Sequence, residues 1–138
     1  MPSTACSAVL RVLPCLVCVL LLAGCGVKPV TGGTRGSLKS GATPMADMQV
    51  AVFEQAGDKW RQVGYGVTAS DGTFELVQNE AAGPLVLAAG EYRCTLESAG
   101  APVKFSPKYA RSDTTPLVIV WPTANKRLDL DAPIQISP

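Results

Sequence analysis

Few residues of this sequence are of types that act in catalysis or metal binding. The residue types that are missing exclude several kinds of active site. The chain of 138 residues contains five cysteines and no histidine. Without an imidazole, Ser-His-Asp and Cys-His nucleophilic catalysis, histidine proton shuttles and most zinc sites are excluded. Cysteines, carboxylates and aromatic rings remain as candidates, and each predicts a different kind of site.

Cys25 ends an apolar segment near the amino terminus. No charged residue lies between Arg11 and Cys25, and this segment is shorter than the roughly 20 apolar residues that a membrane-spanning helix needs. A short apolar stretch that ends in small residues is typical of a secretory signal, here predicted as a helix that is cleaved off. Its last four residues, Leu22-Ala23-Gly24-Cys25, resemble the lipobox of bacterial lipoproteins.

The lipobox resemblance implies that the chain is cut between Gly24 and Cys25 and that Cys25 becomes acylated. Each buried CH₂ group of a fatty chain contributes about 0.8 kcal/mol, and two or more chains anchor a protein stably. The same resemblance, with Gly26 rather than aspartate after the cysteine, implies a lipid-anchored protein of the cell envelope on the periplasmic face of the outer membrane. The alternative is an ordinary signal peptide that ends near a cysteine.

The rest of the chain divides into a short linker and one domain. Residues 1–24 are predicted to be the signal peptide, residues 25–34 a Gly-rich lipidated tether, and residues 35–138 a single domain. The 12 basic and 11 acidic residues nearly balance and form no long run, which argues against a nucleic-acid partner. Only Cys94 lies in the domain, so no intramolecular disulfide is expected there.

Short alternating segments separated by turn residues predict an all-β domain. No long window shows the 3.6-residue apolar period of a helix, and Ser70-Asp71-Gly72 is a hairpin signal. Seven strands at this spacing favour an antiparallel β-sandwich of the prealbumin-like or Ig-like kind. The predicted strands are Thr34–Ser40, Met48–Glu54, Lys59–Thr68, Thr73–Gln78, Gly90–Glu97, Leu117–Trp121 and Lys126–Asp131, with a short extra one at Leu85–Ala88. In the third of these, alternation places Val63, Tyr65 and Val67 on the inner face. The glycines on its outer face, at positions 64 and 66, predict a bulge or the close approach of a neighbouring backbone.

Three motifs resemble the carboxypeptidase regulatory-like, or transthyretin-like, domain. They are residues 41–53, a Gly-Ala-Thr-Pro turn followed by a strand, the Thr-Ala-Ser-Asp-Gly-Thr-Phe hairpin at 68–74 and Gly-Glu-Tyr at 90–92. The tail from residue 107 to 130 is similar to that of envelope lipoproteins built on this domain. These motifs are structural, and Tyr92 stands where a tyrosine corner would bond back to the backbone. Hydroxyisourate hydrolases and intradiol dioxygenases share related sandwiches but need histidines, so the resemblance implies a protein that is not an enzyme.

Isolated groups in the domain predict no catalytic, metal or cofactor site. Cys94 lies between Tyr92 and Leu96 on the predicted inner face, where a cysteine acts as a small hydrophobe. Asp129 and Asp131 alternate on one strand, and Glu91, Arg93 and Glu97 share a face of another, but no loop has the oxygen-rich spacing of a calcium cage. We therefore expect these carboxylates to form a solvated strand face.

Two sets of apolar residues are candidate binding sites. Val118 and Val120 would point outward if Leu117, Ile119 and Trp121 face the core, and exposed apolar patches usually mark contacts. This favours a structural or protein-interaction module whose partner is another envelope protein. Trp60 and Tyr109 could instead stack on a sugar, which would make the protein a carbohydrate- or peptidoglycan-binding module. The alternatives without a binding role are that a loop covers the valines or that their strand is central and simply rich in β-branched residues. For Trp60, the alternative is a ring that covers an edge of the sandwich or lies under a loop.

Overall fold

The computed structural model describes residues 29–134, and these form two β-sheets packed into a sandwich-like arrangement. No α-helix occurs in this range, and two short 3-10 helices lie at Asn79–Ala81 and Pro107–Ala110. The range contains nine strands rather than the predicted seven. They are β1 (Arg35–Ser40), β2 (Thr43–Pro44), β3 (Met48–Ala56), β4 (Lys59–Val67), β5 (Thr73–Glu75), β6 (Val77–Gln78), β7 (Gly90–Ser98), β8 (Val118–Trp121) and β9 (Leu128–Asp131).

The smaller sheet is built around β1, which pairs with β2, β5 and β9. The pairing of β1 with β9 is parallel, with Gly36 opposite Leu128, so the prediction of a wholly antiparallel sandwich is wrong at this pair. The larger sheet has the order β6-β4-β3-β7-β8, and all of its pairs are antiparallel. Strand β8 therefore lies at an edge of the larger sheet.

One predicted strand is divided between the two sheets. The segment Thr73–Gln78 was expected to run unbroken, but β5 belongs to the smaller sheet and β6 to the larger one. Leu76 stands at the crossing and is fully buried. Its amide donates to Thr34 O at 2.8 Å, and its carbonyl accepts from the Leu85 amide at 3.0 Å. The predicted strand at Leu85–Ala88 is not formed. This segment makes isolated hydrogen bonds to its neighbours instead of pairing as a strand.

The core confirms the predicted inward faces of most strands. The fully buried side chains come from both sheets, so the apolar residues of each sheet meet in one layer between them. The largest of them are Leu38, Met48, Leu76, Leu128, Val50, Val52 and Cys94. All buried residues of the described range lie between Thr34 and Ala132, so the core of this range lies after the predicted signal peptide.

Strand β4 corrects one predicted face. The alternation predicted Val63, Tyr65 and Val67 inward and Gly64 and Gly66 outward, but both glycines are buried and Val67 is half exposed. Val52 pairs with Gly64 and Phe53 with Gln62, so Val63 is the extra residue of a β-bulge. One extra residue moves the side chains beyond it to the opposite face.

The inward glycines let β5 and β6 approach β4 closely. A Cβ at Gly64 would lie 2.2 Å from Val77 O, and one at Gly66 would lie 2.8 Å from Phe74 Cδ2. A larger residue at Gly66 would push the two sheets apart, and one at Gly64 would displace β6 from β4 within the larger sheet. The glycines predicted a bulge or a close backbone approach, and both are present.

The segment 68–74 forms a tight turn but not the predicted hairpin, because β4 lies in the larger sheet and β5 in the smaller one. Asp71 accepts hydrogen bonds from the Thr73 amide at 3.1 Å and the Thr73 hydroxyl at 2.6 Å, which lower the pKa of its carboxyl. Gly72 adopts a φ of 80°, which glycine reaches without steric cost. Tyr92 donates its hydroxyl proton to Ala88 O at 2.8 Å, the backbone bond expected of a tyrosine corner.

Candidate functional site

Strand β8 presents two valines to solvent at the edge of the larger sheet. Val118 is 47% exposed and Val120 is 69% exposed, whereas Ile119 and Trp121 pack against the core. Among the described strands, β8 pairs only with β7, so the backbone groups along its other side have no strand partner. The predicted orientation of these residues is confirmed, and no loop of the described range buries the valines.

Arg93 lies beside these valines on the outward face of the larger sheet. It stands opposite Val118 on one side and Phe53 on the other in the register of β7. Its guanidinium carbon lies 4.2 Å from the centroid of the Trp60 ring, within the range of a cation–π contact. We call Phe53, Trp60, Arg93, Val118 and Val120 the outer patch, because the register places all five on the outward face of the larger sheet.

The same arginine ties the long connection before β8 to the sheet. Arg93 Nη1 donates to Ser112 O at 3.0 Å and more weakly to Asp113 O at 3.4 Å. Its Nε is buried and makes no hydrogen bond in the described range. Next to this anchor, the Thr115 hydroxyl donates to Cys94 O at 2.7 Å. The start of β8 is thus held against β7 by side chains as well as by ladder bonds.

Trp60 and Tyr109 do not form the stacking platform that the sequence suggested. Tyr109 is only 5% exposed and belongs to the core, where its ring lies 6.1 Å from that of Phe105. One face of Trp60 is covered by the guanidinium of Arg93. Tyr109 is buried because the 3-10 helix Pro107–Ala110 folds against β7. The structure instead places Trp60 on the same outward face of the larger sheet as Val118 and Val120.

Cys94 is a buried side chain, as its position between Tyr92 and Leu96 predicts. It has no exposed surface, and burial raises the pKa of its thiol to about 12. A thiol of this pKa carries almost no thiolate at neutral pH, and the thiolate is the reactive form. Cys94 therefore packs in the core and offers no nucleophile.

The paired carboxylates of β9 accept hydrogen bonds from the backbone and from neighbouring side chains. Asp129 accepts from Ser37 at 3.0 Å and from Asn125 at 2.8 Å, with Arg127 at 3.4 Å. Partial burial raises the pKa of Asp129, but these hydrogen bonds outweigh it and the net pKa is lowered. Asp131 accepts from the Gly41 amide at 3.0 Å. Within residues 29–134, no group of three or more acidic or cysteine side chains is placed to hold a metal ion.

The predicted cleavage and lipidation site, Gly24 and Cys25, lies outside the described residues. The described chain is first fixed to the sandwich near Gly32, whose amide donates to Glu75 Oε2 at 3.2 Å. Thr34 is buried and bonds to Leu85 O through its amide at 2.8 Å. Between Pro29 and Ile134, no helix is long and apolar enough to cross a membrane.

The outer patch contains two residues that reasoning from the sequence did not assign to it. Arg93 was expected to be one member of a solvated charged face, and Phe53 was not singled out. Alternation alone places both outward, but only the register of β7 against β3 and β8 shows that they are neighbours. No family model, curated protein or solved structure matches this chain.

Proposed function

We propose that this protein is a non-enzymatic lipoprotein of the bacterial cell envelope, whose β-sandwich serves as a protein-interaction module. Its anchor is acylated Cys25, at the periplasmic face of the outer membrane. The sequence Leu22-Ala23-Gly24-Cys25 after an uncharged apolar segment supports the anchor. The domain motifs at 68–74 and 90–92, which lie at a tight turn and a tyrosine corner, support the transthyretin-like class.

The observation that carries the interaction role is the outward surface of β8. Natural sheets usually protect an edge strand with a charge, a proline or a bulge. Strand β8 is short, with four residues before Pro122, but its own sequence, Val-Ile-Val-Trp, has no charge, proline or bulge, and Val120 is 69% exposed. An open edge beside exposed apolar side chains is the combination that an added strand recognises, since the backbone supplies hydrogen bonds and the side chains supply specificity.

The outer patch extends the apolar surface across four neighbouring strands, β4, β3, β7 and β8. Phe53 and Trp60 are partly exposed and flank Arg93, whose charge is spread over a planar group stacked on the indole. Aromatic residues and arginine are enriched at the centres of protein interfaces. Glycan binding through Trp60 and Tyr109 lacks this support, because Tyr109 is buried.

The interaction role can be tested by photo-crosslinking in intact cells. A photoreactive residue at Val120 should crosslink to a distinct envelope protein, and the double variant Val118→Ser/Val120→Ser should lose co-purification of that protein. Val67 is the matched control because it is 48% exposed and lies three strands away on β4. Val67→Ser should leave the partner unchanged. Retention of the same partner by the folded Val118→Ser/Val120→Ser variant would contradict the role of β8.

The anchor has a separate test in the variant Cys25→Ser, which replaces the thiol by a hydroxyl. The wild type should incorporate a labelled fatty acid and partition with membranes in a form that lacks residues 1–24. The variant should accumulate as the uncleaved precursor without the label. Cleavage and membrane association that persist unchanged in Cys25→Ser would refute acylation at this position.

A further inference from the structure

A basic groove lies at the end of the sandwich where the tether joins it. Its volume is about 340 Å³, and it lies between the start of β1, the end of β8 and the turn before β9. Three of its side chains are cationic, one is an exposed valine and one is a partly exposed tryptophan. We call it the tether groove, and its main residues are Gly32, Arg35, Val86, Trp121, Lys126 and Arg127.

The strand register explains why these residues meet. Strands β1 and β9 run parallel with Gly36 opposite Leu128, which makes Arg35 and Arg127 neighbours at the start of both strands. Trp121 is the last residue of β8. It packs against the core and lines the groove at the same end of the sandwich. Val86 belongs to the segment that follows β6 and is 70% exposed. Four separate segments of the chain thus contribute to one surface.

The length of the tether limits how far this groove can be from a membrane. Cys25 precedes Gly32 by seven positions, and Gly32 is bound to Glu75. An extended chain spans at most about 3.6 Å per residue, so an acylated Cys25 would hold Gly32 within about 25 Å of the bilayer surface. This reach is no longer than about the diameter of a small domain, so the end of the sandwich that carries Gly32 stays near the lipids and can rest on them.

We propose that the tether groove rests on the bilayer, where its cationic side chains contact anionic lipid headgroups and Val86 and Trp121 meet the interfacial layer. This inference rests on the proposed acylation of Cys25. Tryptophan is enriched at membrane interfaces because its ring is apolar and its N–H is polar. The headgroup phosphate is the chemistry that lysine and arginine recognise.

The tether groove has a small net positive charge, and the tether compensates for the weak binding that such a charge gives. Arg35 is paired with Glu75 at 2.8 Å and Arg127 with Asp129 at 3.4 Å. Lys126 is exposed and takes part in none of the ion pairs between residues 29 and 134. One basic residue near an anionic surface contributes about 1 kcal/mol. A tethered module works at an effective concentration on the order of millimolar, so weak contacts of this kind can still be occupied.

The test attaches the domain to vesicles chemically, so that it does not depend on acylation in cells. Residues 25–138 are coupled through Cys25 to a maleimide lipid, while Cys94 stays unreacted because it is buried. Trp60→Phe leaves Trp121 as the only tryptophan, since the chain has two. The vesicles contain phosphatidylcholine with about 30% phosphatidylglycerol and bromine-labelled acyl chains that quench nearby indoles.

We expect the bromine label to quench Trp121, and Lys126→Glu to reduce this quenching about twofold or more at low salt. The matched control is Lys39→Glu, because Lys39 is also exposed but lies at the opposite end of β1; its quenching should equal that of the parent. Absence of quenching in the coupled parent overturns the proposal. Equal quenching in Lys126→Glu, or on vesicles of phosphatidylcholine alone, overturns the headgroup contact. Either result is independent of whether Cys25→Ser blocks acylation in cells.

Discussion

Replacing Arg93 by methionine should destabilise the domain and release the connection before β8. The variant Arg93→Met keeps most of the aliphatic stem but removes the guanidinium that lies 4.2 Å from the Trp60 centroid and donates to Ser112 O. The cation–π contact contributes about 0.5–1 kcal/mol at a partly exposed site. One charged hydrogen bond contributes about 1.5–3 kcal/mol.

In the wild type, an unsatisfied hydrogen-bond donor partly offsets the stabilisation from these two contacts of Arg93. The Nε of Arg93 is buried without a partner, and an unsatisfied buried donor costs about 1–3 kcal/mol. Methionine removes this penalty together with the favourable contacts. We therefore expect a net loss of about 1–2 kcal/mol in the free energy of unfolding. With a urea m-value of about 1–3 kcal/mol/M, the midpoint should fall by about 0.3–2 M.

The assay is urea unfolding followed by far-ultraviolet circular dichroism, which does not depend on the indole under study. A double-mutant cycle with Trp60→Leu should give a coupling energy of about 0.5–1 kcal/mol, because these two residues are in contact. Arg61→Met is the control, since Arg61 is 68% exposed and pairs with Glu54 at the surface, and should cost about 0.5 kcal/mol or less. Additive effects of Arg93→Met and Trp60→Leu, or equal losses for Arg93→Met and Arg61→Met, would refute the reasoning.

Two further predictions concern side-chain hydrogen bonds. Tyr92→Phe should lower the free energy of unfolding by about 1 kcal/mol, because it removes the bond to Ala88 O without leaving a cavity; an unchanged urea midpoint would show that the tyrosine corner is not stabilising. Asp129 has a lowered pKa in the folded state, so its contribution is present above the unfolded value of about 3.9 and is lost as pH falls through the lower folded value. Asp129→Asn should therefore make the decline in stability below about pH 5 shallower, by about 0.5 kcal/mol or less because the carboxyl is 39% exposed; parallel pH profiles of the two proteins would contradict this.

The sequence predicted correctly those strands in which apolar and polar residues alternate regularly. The alternation of Tyr92, Cys94 and Leu96 was enough to place β7 and its buried face, because successive side chains of a strand point to opposite sides. The pair Asp71-Gly72 predicted its turn for an equally local reason. Strand β4 failed because the bulge at Val63 reverses the phase of the alternation, and nothing in the period of the strand itself marks where an extra residue will stand.

The sequence by itself determined the class of the domain, the outward orientation of Val118 and Val120, and the inertness of Cys94, since each follows from periodicity or composition. It also carries the predicted anchor at Cys25. Only the tertiary structure decided that β1 and β9 are parallel, that Tyr109 is buried, and that Trp60 lies under Arg93. These facts depend on which strands become neighbours, and long-range pairing is set by the packing of the whole core rather than by any one segment.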